Sequence, residues 1–82
     1  MKDFALAAAA IDVTALRSAL GSDRAGAIAC FEGVVRDHSE GRAVRRLAYQ
    51  AYVPLAEAEG ARLVAAARAR HPIERIVCVH RI

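Results

Sequence analysis

The 82-residue chain has no tryptophan, only two phenylalanines and two tyrosines, and a single lysine, Lys2. Aromatics reach 5% while hydrophobic residues make up 56%, so any core must be built from Val, Ile, Leu and Ala. Much of that share is alanine, which adds little core volume. Nowhere do apolar residues run for the ~18–20 positions that a membrane-spanning helix needs. The N-terminus lacks a basic segment followed by a continuous apolar run, because Asp3 and Asp12 bracket a short Ala-rich stretch. No secretory leader is read there. Cys30 and Cys78 lie inside apolar runs without metal-ligand spacing. They read as buried free thiols of a reducing compartment, and the protein as soluble and cytoplasmic.

What is present is one small domain over residues 1–82 with an uneven charge. Residues 1–41 hold four basic and six acidic side chains, and residues 42–82 hold eight arginines and three glutamates. The net charge of +3 thus hides a −2 half and a +5 half. A guanidinium fork binds phosphate oxygens bidentately, so the second half suits an anionic ligand; a solvated Arg-rich surface has the same composition. At this length a chain buries only about 60–65% of the surface it exposes when unfolded. Association with a partner would relieve that marginal stability.

Residues 3–9 are compatible with a short strand. Asp12 is a good N-cap for a helix over 13–20, with Val13, Leu16 and Leu20 on one face and Gly21 as its stop. A loop follows at 22–26. GAIACFEGVV, residues 26–35, is rich in β-formers and reads as a buried strand, with Gly33 marking a bulge or a close approach. After a loop over 37–43, VRRLAYQAYV at 44–53 alternates as a second strand, and the two should pair antiparallel as a hairpin with a long tip. Pro54 opens a helix to about residue 70, with Ala56, Gly60, Leu63 and Ala67 as its stripe, Val64 widening it, and Pro72 ending it. Glu57 and Glu59 near its start, and Arg68 and Arg70 near its end, complement the helix dipole. IERIVCVHRI, residues 73–82, is a final apolar strand that stops at Ile82 without a polar tail. The order is (β)αββαβ, an α+β fold with helices on a mainly antiparallel sheet.

Two strand ends carry the chemistry. Arg36 and His38 close one strand, and His80 and Arg81 close another. An Arg and a His from each could converge on one anion, the Arg clamping it and the His donating to it or moving a proton. An Arg at a strand end is also the ordinary solvated case.

Three motifs in order then resemble the catalytic (large) subunit of molybdopterin synthase: F-x-G-x-V-R-x-H at 31–38, L-x-Y-x-A-Y-x-P-x-A at 47–56, and CVHRI at 78–82. The similarity runs from about residue 10 onward. It implies an α/β hammerhead fold, with this chain as the N-terminal portion. It also implies a central homodimer in a heterotetramer, and a small ubiquitin-like sulfur-carrier subunit ending in a Gly-Gly thiocarboxylate. Sulfur transfer to cyclic pyranopterin monophosphate would form molybdopterin for the molybdenum cofactor. No cofactor is implied for the protein itself. The substrate pocket of such proteins falls on Phe31, Arg36, His80 and Arg81, with His38 adjacent and residues 37–43 as a mobile flap. Gln50 departs from the acidic residue common there. The family's catalytic lysine segment has no counterpart, since Lys2 does not match it, and the chain reads as truncated and inactive by itself. Two other readings stand beside this one. One is a non-catalytic module binding RNA or another polyanion, against which stands the lack of Lys-rich tracts and aromatic platforms. The other is a degenerate paralogue that keeps only the interaction surface.

Overall fold

The computed structural model describes residues 3–21 and 23–82. Lys2, and Ser22 at the start of the predicted 22–26 loop, lie outside the described residues. The chain is an α+β protein with the elements β1 (Phe4–Ala7), α1 (Val13–Ala19), β2 (His38–Ser39), β3 (Arg42–Ala43), α2 (Val53–Arg70) and β4 (Cys78–Arg81). The sequence of element types is the predicted one, but β2 and β3 fall within the predicted 37–43 loop and not in the predicted strands at 26–35 and 44–53. Among the described residues no helix is long and apolar enough to cross a membrane.

Both helices follow their local signals. The Ala15 amide donates to the Asp12 carboxylate at 3.0 Å, capping α1. At the other end the Gly21 amide donates to the Ser18 carbonyl at 3.3 Å. Arg75, from the segment before β4, donates to the Ala19 carbonyl at 3.1 Å, satisfying one of the acceptors a helix C-terminus leaves open. Pro54 lies in the first turn of α2, and His71 is extended (φ −133, ψ 146), as a residue before proline prefers. Arg68 and Arg70 occupy the last turn of α2, but its first turn holds no acidic residue. The dipole is therefore complemented at one end only, because its effect fades within a turn.

The core lies where α2 crosses β1. Gly60 and Val64 are its buried residues, with Val64 7% exposed, and Ala56 and Ala67 are half-buried beside them. The inward stripe is thus 56–60–64–67, and Leu63, predicted to share it, is 56% exposed. Phe4 packs so closely on Gly60 that a methyl group there would overlap its ring. Asp3 and Arg68 add an ion pair at 3.0 Å across the same junction.

The main sheet departs from the mainly antiparallel expectation. β1 and β4 pair in parallel, with Phe4 opposite Cys78, Leu6 opposite His80 and Ala7 opposite Arg81. Amides at Cys78 and Ile82 donate to the Asp3 and Ala7 carbonyls at 2.8 Å and extend the ladder at both ends. The order α1, hairpin, α2 between these strands supplies the long crossover that a parallel pair requires.

The hairpin differs most from expectation. Only its tip pairs, through His38↔Ala43 and Ser39↔Arg42, while residues 26–36 and 44–52 form no ladder. The tip is a tight turn, with positive φ at Glu40 (51) and Gly41 (77), as a two-residue type I′ connection demands. The Val44 amide donates to the Asp37 carbonyl at 2.6 Å below it. The predicted long flap over 37–43 is therefore a short, closed β-turn. The arms fail as strands because nothing covers them: Phe31 is 96% exposed and Val34 84%. A methyl group added at Gly33 would meet no atom within 4 Å, and no ladder passes through it, so neither close approach nor bulge explains it. Cys30 and Cys78 are free, as expected, but exposed, since the arm holding Cys30 is uncovered and β4 is an edge strand of a two-stranded sheet.

Candidate functional site

The predicted site residues sit on two separate parts of the molecule. Phe31 and Arg36 lie on the first hairpin arm and His38 begins β2, whereas His80 and Arg81 close β4. Among the described residues, no hydrogen bond, ion pair or ring contact joins the first group to the second.

Each part has a definite geometry. His38 Nδ1 lies 2.8 Å from the Asp37 carboxylate. A carboxylate only accepts, so Nδ1 carries the proton and Nε2 is left available. The Arg36 guanidinium has no ion pair or hydrogen bond among the described residues. At β4, His80 Nδ1 lies 2.9 Å from the Arg81 carbonyl, which again fixes the proton on Nδ1 and leaves Nε2 outward. The Arg81 side chain also lacks an ion pair or hydrogen bond among the described residues.

The pleat separates these two neighbours. Adjacent strand residues project from opposite faces. His80 shares the face of its register partner Leu6, and of Phe4, which packs on α2; Arg81 shares the other face with Ala7. Within β4 alone the pair cannot grip one anion from the same side.

A contact that local sequence signals did not reveal joins the hairpin to β4. The Tyr49 and His80 rings meet edge to face, with centroids 4.8 Å apart and planes at 88°. No local signal in the sequence indicates that residue 49 reaches residue 80.

Two clefts lie elsewhere. One of about 540 Å³ runs between residues 24–29 and 72–76, near the Arg24–Glu74 ion pair at 3.6 Å. The other, of about 640 Å³, lies between Phe4 and the small residues Ala58, Ala61 and Ala65 of α2. None of Phe31, Arg36, His38, His80 and Arg81 lines either cleft. On the outer face of α2, a hydrogen bond and the charge of Arg62 hold the Glu59 carboxyl below the ordinary glutamate range.

At the level of class this is an α+β protein with exposed arginines and histidines, among them Arg36, His38, His80 and Arg81. Comparison with known proteins narrows the class. Residues 6–82 match the family described as MoaE protein, and the chain belongs to that family. Its relatives include proteins named molybdopterin synthase catalytic subunit. The one from Oryza sativa subsp. indica is 47% identical over 58 residues, covering 71% of this chain and 30% of the relative. The one from Arabidopsis thaliana is 38% identical over 72 residues, covering 88% and 36%. The one from Salmonella typhimurium is 38% identical over 60 residues, covering 73% and 40%. The chain thus spans about a third of the length of these relatives. No solved structure gives a significant match.

Proposed function

We propose that this chain is part of a molybdopterin synthase catalytic subunit and serves molybdenum cofactor biosynthesis by binding cyclic pyranopterin monophosphate. The match over residues 6–82 carries the reading. The Arg36 guanidinium, which has no partner among the described residues, and the outward Nε2 of His80, a donor once that ring is the imidazolium, support it as groups suited to a phosphate monoester. Phe31 would lie against the pterin ring, and His38 would add a second imidazole near Arg36. Because His80 and Arg81 project from opposite faces of β4, we assign His80 to the phosphate and Arg81 to the rim or to a partner. Sulfur would arrive as the thiocarboxylate of a small carrier subunit. We assign the amine chemistry of that transfer to residues other than these five. The bare apolar arms of the hairpin are the surface we assign to a second copy and to the carrier.

Calorimetric titration of the chain with cyclic pyranopterin monophosphate tests this reading. Arg36→Ala and His80→Ala should each weaken binding roughly 10- to 100-fold, the range for a lost charge-assisted hydrogen bond. Absence of binding, or binding indifferent to both substitutions, would remove the assignment. A salt-sensitive response to generic RNA in place of the pterin would favour a polyanion-binding module instead.

A further inference from the structure

We propose that Tyr49 is a positioning residue for His80. It holds the imidazole so that Nδ1 faces the Arg81 carbonyl and Nε2 is the atom presented to a bound anion. The inference rests on the reading that His80 meets the substrate, and adds which atom does so and what holds it there.

Three observations carry it. First, the Tyr49–His80 geometry, 4.8 Å between centroids and 88° between planes, lies within the favoured range for edge-to-face ring pairs. Second, His80 Nδ1 is 2.9 Å from the Arg81 carbonyl, and a carbonyl has no proton to give, so this nitrogen is the donor. A neutral ring held this way has a lone pair at Nε2. To donate to a phosphate oxygen, His80 must therefore be the imidazolium, with its second proton at Nε2. Third, both rings are exposed, so burial does not fix the imidazole. Residues 44–52 form no ladder with any strand, and the ring contact joins this arm to β4.

The contact uses the face and edge of the tyrosine ring, and the phenol oxygen makes no hydrogen bond among the described residues. Phenylalanine should therefore replace Tyr49, and an aliphatic residue should not. A side chain that merely filled space would show no such distinction.

The test is the ¹⁵N resonance pair of the His80 ring in the 82-residue chain, read for the wild type and for Tyr49→Phe, Tyr49→Leu and Tyr49→Ala. Wild type and Tyr49→Phe should show a protonated Nδ1 and an unprotonated Nε2 in the neutral ring. In Tyr49→Leu and Tyr49→Ala the ratio of Nδ1–H to Nε2–H tautomers should fall about 2- to 10-fold, matching the ~0.5–1.4 kcal/mol of an edge-to-face pair. Tyr49→Leu keeps apolar bulk should Tyr49→Ala fail to fold. A wild-type ring protonated on Nε2, or a tautomer ratio unchanged in Tyr49→Leu, would overturn the proposal. Adding inorganic phosphate separates the two levels. If the tautomer results hold while phosphate leaves Nε2 unmoved, the anion site is wrong and the positioning role stands. If phosphate moves Nε2 while the variants match wild type, the reverse is true.

Discussion

Gly60 poses a direct conflict between local propensity and packing. In the middle of a helix, alanine is about 1 kcal/mol more favourable than glycine, so propensity alone makes Gly60→Ala stabilising. Packing opposes it. Gly60 is buried, and an added methyl would overlap the Phe4 ring. The β1 backbone beneath that ring is held by its register with β4 and by the Asp3–Arg68 pair to α2, so relief would have to come from the ring alone. Overpacking a filled contact costs about 1–3 kcal/mol. Set against the propensity gain, the net change is a destabilisation of roughly 0–2 kcal/mol. Since that range touches zero, the deciding experiment is a double-mutant cycle. In a Phe4→Ala background the ring is gone, and Gly60→Ala should recover its gain of about 1 kcal/mol. The coupling between the sites should then be about 1–3 kcal/mol, read from urea unfolding followed by far-UV circular dichroism. A coupling below ~0.5 kcal/mol, which is ordinary additivity, would mean that Phe4 does not press on α2.

Two further outcomes follow from single residues. At the hairpin tip Glu40 holds a left-handed φ of 51 before Gly41 at 77, where Asn-Gly is the favoured pair. Glu40→Asn should slow hydrogen exchange of the Val44 amide roughly 2- to 5-fold, as relief of about 0.5–1 kcal/mol of backbone strain would, and unchanged exchange would refute a strained tip. On α2, the hydrogen bond and charge of Arg62 hold the Glu59 carboxyl below its ordinary range. A depressed carboxyl contributes stability above its unfolded value, about 4.3, and loses it as pH falls through the folded value. Glu59→Gln should therefore lower the thermal midpoint slightly at neutral pH and not at all in strong acid. A difference that grew on acidification would contradict the assigned sign.

The helices were legible because their signals are local. Asp12 and Gly21 bracket α1, and Pro54 and Pro72 bracket α2, and each acts within a turn of its own position. The helix stripe was legible to within one residue. Val64 takes the place expected for Leu63, on the side of α2 where Phe4 packs against Gly60. Parallel pairing of β1 with β4 was not legible, since no local pattern says that Leu6 will sit opposite His80. The site was read in the same mixed way. Strand-end placement of His80 and Arg81 followed from the sequence, whereas their separation onto two faces follows from strict alternation once both lie inside β4. The Tyr49 contact depends on where an unladdered arm passes, which is a property of the assembled chain.

The hairpin arms show most clearly what a strand signal means. Residues 26–35 and 44–53 have the composition of strands, but β-propensity reports how well a side chain fits a pleated, half-covered surface. Here that surface has no cover. The chain exposes 7204 Å², where a compact monomer of its mass exposes roughly 4800 Å². Its radius of gyration is 14.9 Å against about 12 Å for a compact chain of this length. The excess, of order 2400 Å², is as large as the area buried in an obligate interface. Pairing the arms with another chain would supply the missing hydrogen bonds and cover Phe31, Val34 and Leu47 together. The strand composition of these residues therefore reports how they would fit a covered surface, which these arms lack.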